Sequence, residues 1–110
     1  MTVLETREQA LQVDNHLDGQ GNPTGGSVLG VGIAINWQDG PLGRPPSQPT
    51  GAFVETVIRA ALQRLLFYNE GKFRCRENSL AITHLEEALH WLWARREDRE
   101  ARQVQGLHEV

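Results

Sequence analysis

The sequence predicts an α+β fold: a short β element in the N-terminal half, then a long antiparallel two-helix hairpin, assembled as a homo-oligomer. Three observations predict it. Residues 28–38 alternate bulky side chains with small or polar ones, which is the period of a strand. Residues 52–69 and 78–103 carry apolar side chains at spacings of three and four, which is the period of a helix. The connector between them, residues 70–77, is short enough to favour neighbouring antiparallel helices.

Length and composition bound what the chain can do. At 110 residues it is predicted to form one domain, residues 1–110, with the strand and loops in 1–50 and the hairpin in 51–110. No apolar stretch is long enough for a membrane span, so no membrane partner is expected. The net charge of −3 argues against a nucleic-acid polymer as partner. A lone cysteine, Cys75, excludes an internal disulfide and favours a reducing compartment.

The N-terminal half is predicted to contain one strand and several loops. Residues 6–13 fit either a short helix or a strand, and the glycine-rich residues 19–26 read as a loop. Residues 28–38 form the predicted strand, in which two glycines indicate a bulge or a close backbone contact. One strand is not stable alone, so it must pair with the N-terminal segment or with another chain. The proline-rich residues 39–51 form a stiff loop whose Arg44 is placed to face a ligand.

The ends of the two helices follow from turn and capping residues. Thr50 is predicted to cap the first helix, and the run Asn69-Glu70-Gly71 ends it. The second helix is capped by Asn78 or Ser79, and Gly106 lies just beyond its end. It would extend past the first by about two turns.

Both helices have more apolar surface than one partner helix covers. A stripe on the second helix is predicted to pack on the first: Ile82, Leu85, Leu89, Leu92 and Trp93. The opposite side carries His84, Trp91, Arg95, Asp98 and Arg102. That side is either an exposed face with ion pairs or a second contact surface for a subunit or a ligand. Apolar residues also cover more than half of the first helix, which favours a two-fold self-association.

No residue pattern predicts catalysis, a metal site or a cofactor. His84 with Glu87, and Glu86 with His90, have helical ligand spacing, but no second helix supplies the remaining ligands. Cys75 lies between two arginines near a helix start, without a positioned base, so it is interpreted as structural or incidental. The chain is therefore not expected to be an enzyme.

Arginines and aromatic side chains favour a small phosphorylated nucleotide as ligand. Guanidinium groups bind phosphate through paired donors, and the start of the second helix adds free N–H groups. Aromatic rings stack on bases. The arginines considered are those around the second helix and on the proline-rich loop, Arg44, Arg74, Arg76, Arg95, Arg96, Arg99 and Arg102, and the aromatic residues considered are Trp37, Tyr68, Trp91 and Trp93. Among these, Arg76 and Trp37 are candidate ligand-binding residues.

Two parts of the chain resemble known phage counter-defence families. The segment CRENSLAITHLEEALHWLWARREDREARQVQGLHEV, residues 75–110, resembles the helical hairpin shared by the type-one Thoeris anti-defence proteins and the anti-CBASS cyclic-nucleotide sponges. Its specific parts are the Cys-Arg-Glu-Asn opening and the run Asp-Arg-Glu-Ala-Arg at 98–102. INWQDGPLGR at 35–44 and TGAFVETVI at 50–58 resemble the first family only. Residues 103–108, QVQGLH, depart from the Gly-Val-Glu-Gly-Thr-His more common in that family.

The resemblance implies a function, an assembly and a set of site residues. It implies a sponge, acting in the host bacterial cytoplasm, that holds glycocyclic ADP-ribose made by TIR-domain enzymes without cleaving it. Some members also bind cyclic di- and trinucleotides at separate sites, and dimers build a hexamer. Carried onto this chain, the pocket uses Tyr68, Asn78 and Arg95, with phosphate contacts from Arg44 and Arg99. Two alternatives stay open: a sponge for cyclic oligonucleotides alone, or a structural adaptor that binds no nucleotide.

Overall fold

A computed structural model describes residues 2–5, 10–40 and 48–109, with side chains for residues 10–40, 48–98 and 100–101. Its elements confirm the α+β class. They are β1 Thr2–Glu5, β2 Ala10–Leu17, β3 Pro23–Gly30, β4 Ile33–Asn36, α1 Val54–Asn69 and α2 Arg76–Glu109. The chain divides into two compact units, residues 1–54 and 55–110. The single domain over residues 1–110 stays a prediction.

The first unit is built on a four-stranded antiparallel sheet in the order β1-β2-β3-β4. Each strand pairs with the next one along the chain, so Val13 lies opposite Val28, and Val28 lies opposite Ile35. A one-residue bridge between Trp37 and Ala52 continues the pairing past β4. The pairing partner that the predicted strand required is thus the N-terminal segment of the same chain.

The prediction of one strand over residues 28–38 is wrong, because two strands and a tight turn occupy this segment. Gly30 at the end of β3 pairs with Ile33 at the start of β4, which leaves Val31 and Gly32 as the turn. Gly32 has a φ of 77°, a conformation that side-chain-bearing residues adopt only at a cost. A two-residue turn keeps the alternation of side chains in step across both strands, so the period alone could not reveal it.

The predicted loop at residues 19–26 is also shorter than expected. The turn covers residues 18–22, where the Asp18 carboxylate accepts N–H bonds from Gln20 at 2.8 Å and Asn22 at 2.9 Å. β3 then begins at Pro23 and includes the glycines at 25 and 26. A Cβ on Gly26 would overlap the carbonyl oxygen of Asp14 on β2, so close strand approach requires the glycine here. Of the ambiguous residues 6–13, residues 10–13 belong to β2, and residues 6–9 lie outside the described part.

Helix α1 begins two residues later than predicted, at Val54, and ends at Asn69 as predicted. Thr50 does not cap it. Instead, the Thr50 hydroxyl accepts the N–H of Asp39 at 2.9 Å, and the Gln38 side-chain oxygen accepts the N–H of Thr50 at 2.8 Å. These bonds hold residues 50–51 against the end of the sheet in the first unit.

Helix α2 begins earlier and ends later than predicted, at Arg76 and Glu109. The antiparallel hairpin is tied at both ends: Asn69 Nδ2 donates to Ser79 Oγ at 3.1 Å, and Arg96 pairs with Glu55 at 3.2 Å. Beyond Arg96, which pairs with the start of α1, residues 97–109 extend α2 by about 20 Å. This extension is more than three helical turns, whereas the sequence predicted about two. Gly106 lies inside the helix, because a glycine costs a helix only about 1 kcal/mol and ends it only where the backbone turns left-handed.

The second unit buries few of its apolar side chains. Among the described residues only Leu62 of α1 and Ile82 of α2 are buried, each with 8% of its surface exposed. Of the predicted stripe, Ile82 is buried and the three leucines are half-buried, but Trp93 is 57% exposed, so its packing on α1 is a wrong prediction. Phe67 and Trp91 are exposed as well. No helix in the described ranges is both long and apolar enough to cross a membrane.

Candidate functional site

An open cavity of about 480 Å³ lies at the turn of the hairpin. Its lining comes from three successive pieces of chain: Tyr68 near the end of α1, Phe73 and Cys75 in the connector, and Asn78 in the first turn of α2. The structure therefore brings together two of the residues proposed for ligand binding, Tyr68 and Asn78. The other two lining residues were not proposed as ligand contacts.

One wall of this cavity is aromatic. The rings of Tyr68 and Phe73 meet edge to face, with centroids 6.2 Å apart and an interplanar angle of 70°. The Arg64 guanidinium lies 5.1 Å from the centre of the Tyr68 ring, and its Nε donates to the Tyr68 hydroxyl at 3.2 Å. An aromatic wall with a cation beside it is suited to a planar, anionic ligand such as a nucleotide.

The polar wall is held in place by the connector. Asn78 Nδ2 donates to the backbone carbonyl of Phe73 at 2.9 Å, and the backbone N–H of Asn78 donates to Cys75 Sγ at 3.4 Å. The second bond makes Cys75 the cap of α2, because its side chain accepts the N–H three residues ahead. The prediction that Asn78 or Ser79 caps the helix is therefore wrong, and Asn78 is the third residue of the helix.

Positive charge lies close to this cavity along the chain. Arg74 and Arg76 flank the lining residue Cys75, and both are exposed. Arg76 is the first residue of α2, where free N–H groups also favour an anion. The predicted ligand-binding residue Arg76 thus neighbours the cavity without lining it.

Arg95 lies far from the cavity within one chain. It is exposed on α2, 17 residues beyond Asn78, which corresponds to about 25 Å along the helix axis. The two candidates at Arg44 and Arg99 cannot be placed: residue 44 and the side chain of residue 99 lie outside the described part.

Trp37 belongs to a different cavity, in the first unit. This cavity has a volume of about 330 Å³ and is lined by Asn15, Pro23, Gly25, Trp37, Gln38 and Val54. Trp37 is half-buried, and the Gln38 side-chain oxygen is engaged by the N–H groups of Thr50 and Gly51. The cavity thus offers one aromatic ring beside amide groups.

The face of α2 that carries Trp91 is exposed. Trp91 has 71% of its surface exposed, and the His90 ring lies 5.9 Å from it and 6.3 Å from the ring of Trp93. His84 Nδ1 lies 3.8 Å from a Glu87 carboxylate oxygen in an exposed pair. Within one chain, this side of α2 is therefore exposed. Within the residues searched, no three His, Cys, Asp or Glu side chains are grouped to hold a metal ion.

Residues 55–110 form a helical-hairpin unit with an aromatic cavity at its turn, and they follow a small antiparallel sheet. A family model described as Acb2/Tad1, hairpin domain, matches residues 30–97, and the chain belongs to this family. The matched range contains Tyr68, Asn78 and Arg95.

A curated relative also supports membership of this family. Thoeris anti-defense 1 of Bacillus phage SBSphiJ7 is 43% identical over 75 residues, which cover 68% of this chain and 51% of the relative. The chain therefore spans about half the length of this relative. The family resemblance inferred from the sequence is confirmed.

Proposed function

We propose that the protein is a phage counter-defence sponge, which sequesters glycocyclic ADP-ribose without cleaving it and so blocks Thoeris immunity in the host cytoplasm. Membership of the hairpin family and the relative named Thoeris anti-defense 1 support the anti-Thoeris role. The observation that carries the choice of ligand is the single cavity that holds both Tyr68 and Asn78. A ring for stacking and an amide for hydrogen bonding are the two groups that recognition of a base needs.

In this proposal each residue has one task. The adenine ring stacks on Tyr68 beside Phe73, and such stacking contributes about 1–3 kcal/mol per base. The Asn78 amide, positioned by its bond to the Phe73 carbonyl, hydrogen-bonds the ligand. Arg95 neutralises the pyrophosphate through charge-assisted bonds. Arg76 and Arg99 supply further positive charge.

The site requires two copies of the chain. Asn78 and Arg95 are about 25 Å apart along the axis of one helix, a distance that a compact cyclic nucleotide does not span. A second copy running the opposite way brings its Arg95 to the Asn78 of the first. Exposed Phe67, Trp91 and Trp93 provide apolar surface for such a pairing. Dimers would then build the hexamer that the resemblance implies.

Sequestration sets a demand on affinity. A messenger active at nanomolar concentrations is silenced only by a dissociation constant in that range, equivalent to about −12 kcal/mol. A pocket closed by two chains reaches this value by removing water from the charge-assisted contacts, which strengthens them.

A second ligand class is favoured by the Trp37 cavity. Its aromatic ring and amides lie in the sheet unit, and Arg44 follows Trp37 by seven residues in the proline-rich segment 39–51. We propose this region as the separate site for cyclic di- or trinucleotides. A sponge for cyclic oligonucleotides alone remains the alternative, and a structural adaptor that uses the Trp91 face is a third.

One experiment separates these functions. The protein is mixed with glycocyclic ADP-ribose, free ligand is removed, the complex is heated, and the released material is analysed by chromatography. Recovery of intact ligand is expected, whereas recovery of hydrolysed product alone would make the protein an enzyme. Parallel titrations with cyclic di- and trinucleotides distinguish the alternatives. Binding of these ligands without glycocyclic ADP-ribose supports the sponge for cyclic oligonucleotides alone. Binding of neither ligand class supports the structural adaptor.

A further inference from the structure

The last residue of α1 connects the two helices at the hairpin turn. Asn69 Oδ1 accepts the backbone N–H of Cys75 at 3.2 Å, and Asn69 Nδ2 donates to Ser79 Oγ at 3.1 Å. Cys75 lines the cavity, and Ser79 follows the lining residue Asn78 in α2. One amide therefore holds the connector and the first turn of α2 against the end of α1.

Hydrogen bonds lead from Asn69 to three of the four residues that line the cavity. Cys75, fixed by Asn69, accepts the N–H of Asn78 through its sulfur at 3.4 Å. Asn78 in turn donates to the carbonyl of Phe73 at 2.9 Å. Tyr68, the remaining lining residue, directly precedes Asn69 in α1. The arrangement of the aromatic and polar walls thus depends on Asn69, which does not itself line the cavity.

We propose that Asn69 is a positioning residue that holds the cavity in its binding geometry before ligand arrives; this inference rests on the proposed function of the cavity. The side chain matters because its two polar atoms hydrogen-bond two partners at once, the Cys75 N–H and the Ser79 hydroxyl. Without these bonds the walls adopt the binding geometry for a smaller fraction of the time, and the apparent dissociation constant rises in inverse proportion.

Two substitutions of similar size separate hydrogen bonding from packing. Asn69→Leu removes both bonds while it keeps the approximate volume of the side chain. Asn69→Asp keeps an acceptor for the Cys75 N–H, and its second oxygen can accept the Ser79 hydroxyl, so both links can re-form. Ser79→Ala removes only the Ser79 link, and its effect should fall between those of the other two variants.

The first measurement needs no ligand. Tyr68 is the chain's one tyrosine, so full-length protein labelled with 3-fluorotyrosine gives a fluorine NMR signal from the cavity alone. One narrow signal is expected for the unsubstituted protein and for Asn69→Asp. A broadened or divided signal is expected for Asn69→Leu, with unchanged helix content by circular dichroism.

The second measurement is calorimetric titration with glycocyclic ADP-ribose. Asn69→Leu should bind about tenfold more weakly, as the loss of two modest hydrogen bonds implies, and Asn69→Asp should bind within about twofold of the unsubstituted protein. The proposal is overturned if Asn69→Leu keeps both the single signal and the affinity, or if Asn69→Asp is as defective as Asn69→Leu. If the unsubstituted protein takes up no ligand, the proposed function fails, and the fluorine signals alone then decide the role of Asn69.

Discussion

Arg64 and Tyr68, one helical turn apart on α1, are joined by a hydrogen bond of 3.2 Å from the guanidinium Nε to the phenol oxygen. The same guanidinium lies 5.1 Å from the centre of the Tyr68 ring and 5.2 Å from that of Phe67. The Arg64 side chain thereby restricts the orientation of the Tyr68 ring. In the proposed site, ligand stacking on Tyr68 would therefore begin from a restricted ring orientation.

Replacing Arg64 should weaken ligand binding without unfolding the helix. For Arg64→Ala we expect about a two- to fivefold rise in the dissociation constant for glycocyclic ADP-ribose, the size of one modest hydrogen bond, here the bond from Arg64 to the Tyr68 hydroxyl. Calorimetric titration measures it, with Arg59→Ala, an exposed arginine of the same helix, as control. In a Tyr68→Phe background the effect of Arg64→Ala should shrink, since the hydroxyl acceptor is gone. An equal effect in both backgrounds would show that Arg64 acts independently of that hydroxyl.

A mixing experiment tests the two-copy site. Asn78→Ala and Arg95→Ala should each abolish high-affinity capture. When the two variants are co-expressed, about half of the dimers contain one chain of each kind, and in these one of the two sites is intact. About a quarter of the sites should therefore bind normally, as counted by titration. No recovery in a verified mixed population would place both residues in the site of a single chain.

The sulfur cap of α2 should contribute measurably to stability. Cys75→Ala removes the acceptor of the Asn78 N–H and should lower the free energy of unfolding by about 0.5–1 kcal/mol, while Cys75→Ser should restore it or exceed it. Thermal denaturation followed at 222 nm measures both. Equal melting temperatures for the alanine and serine variants would contradict the capping role.

The turn between β3 and β4 should not tolerate a side chain. Gly32 has a φ of 77°, and Gly32→Ala should destabilise the protein by about 1 kcal/mol or more, although nothing nearby would clash. Gly19→Ala is the matched control, because it too has open space around it and no positive φ. Chemical denaturation compares the two variants, and an equally small effect of both would refute the assignment of strain to Gly32.

The Asp18 turn predicts a loss of stability in acid. N–H bonds from Asn22 and then Gln20 lower the pKa of Asp18 in the folded chain. Its contribution is therefore complete above the pKa of the unfolded chain and is lost as the pH falls through the lower, folded value. Urea denaturation across this acid range measures the loss, which should be smaller in Asp18→Asn. An identical pH dependence in both proteins would exclude Asp18 as its source.

The sequence predicted elements well where local signals and tertiary structure agree. Asn69, Glu70 and Gly71 end α1 as predicted, because turn-forming residues there coincide with the end of the apolar period. The β3–β4 hairpin was missed, because a two-residue turn leaves the alternation intact. Trp93 was misplaced, because the helical period gives the direction of a side chain but not the depth to which one neighbouring helix buries it.

The site was predictable only in part. Tyr68 was one of several aromatic candidates, and the resemblance selected it together with Asn78. The hydrogen bonds that join Asn78 to the connector depend on tertiary structure. Phe73 could have been found from the sequence, since an aromatic residue between Lys72 and Arg74 in a short polar connector is unusual. The role of Cys75 as cap could not, because cysteine is not among the residues that usually begin helices.

Under the proposed function, the length of α2 between Asn78 and Arg95 would have a consequence for the course of an infection. If each binding site is assembled from two molecules, the amount of signalling molecule bound rises more steeply than in proportion to the number of copies already made. Shortly after phage entry, when copies are scarce, the host's signal would circulate freely. Protection of the phage would then begin abruptly, once synthesis passes the level at which the molecules pair.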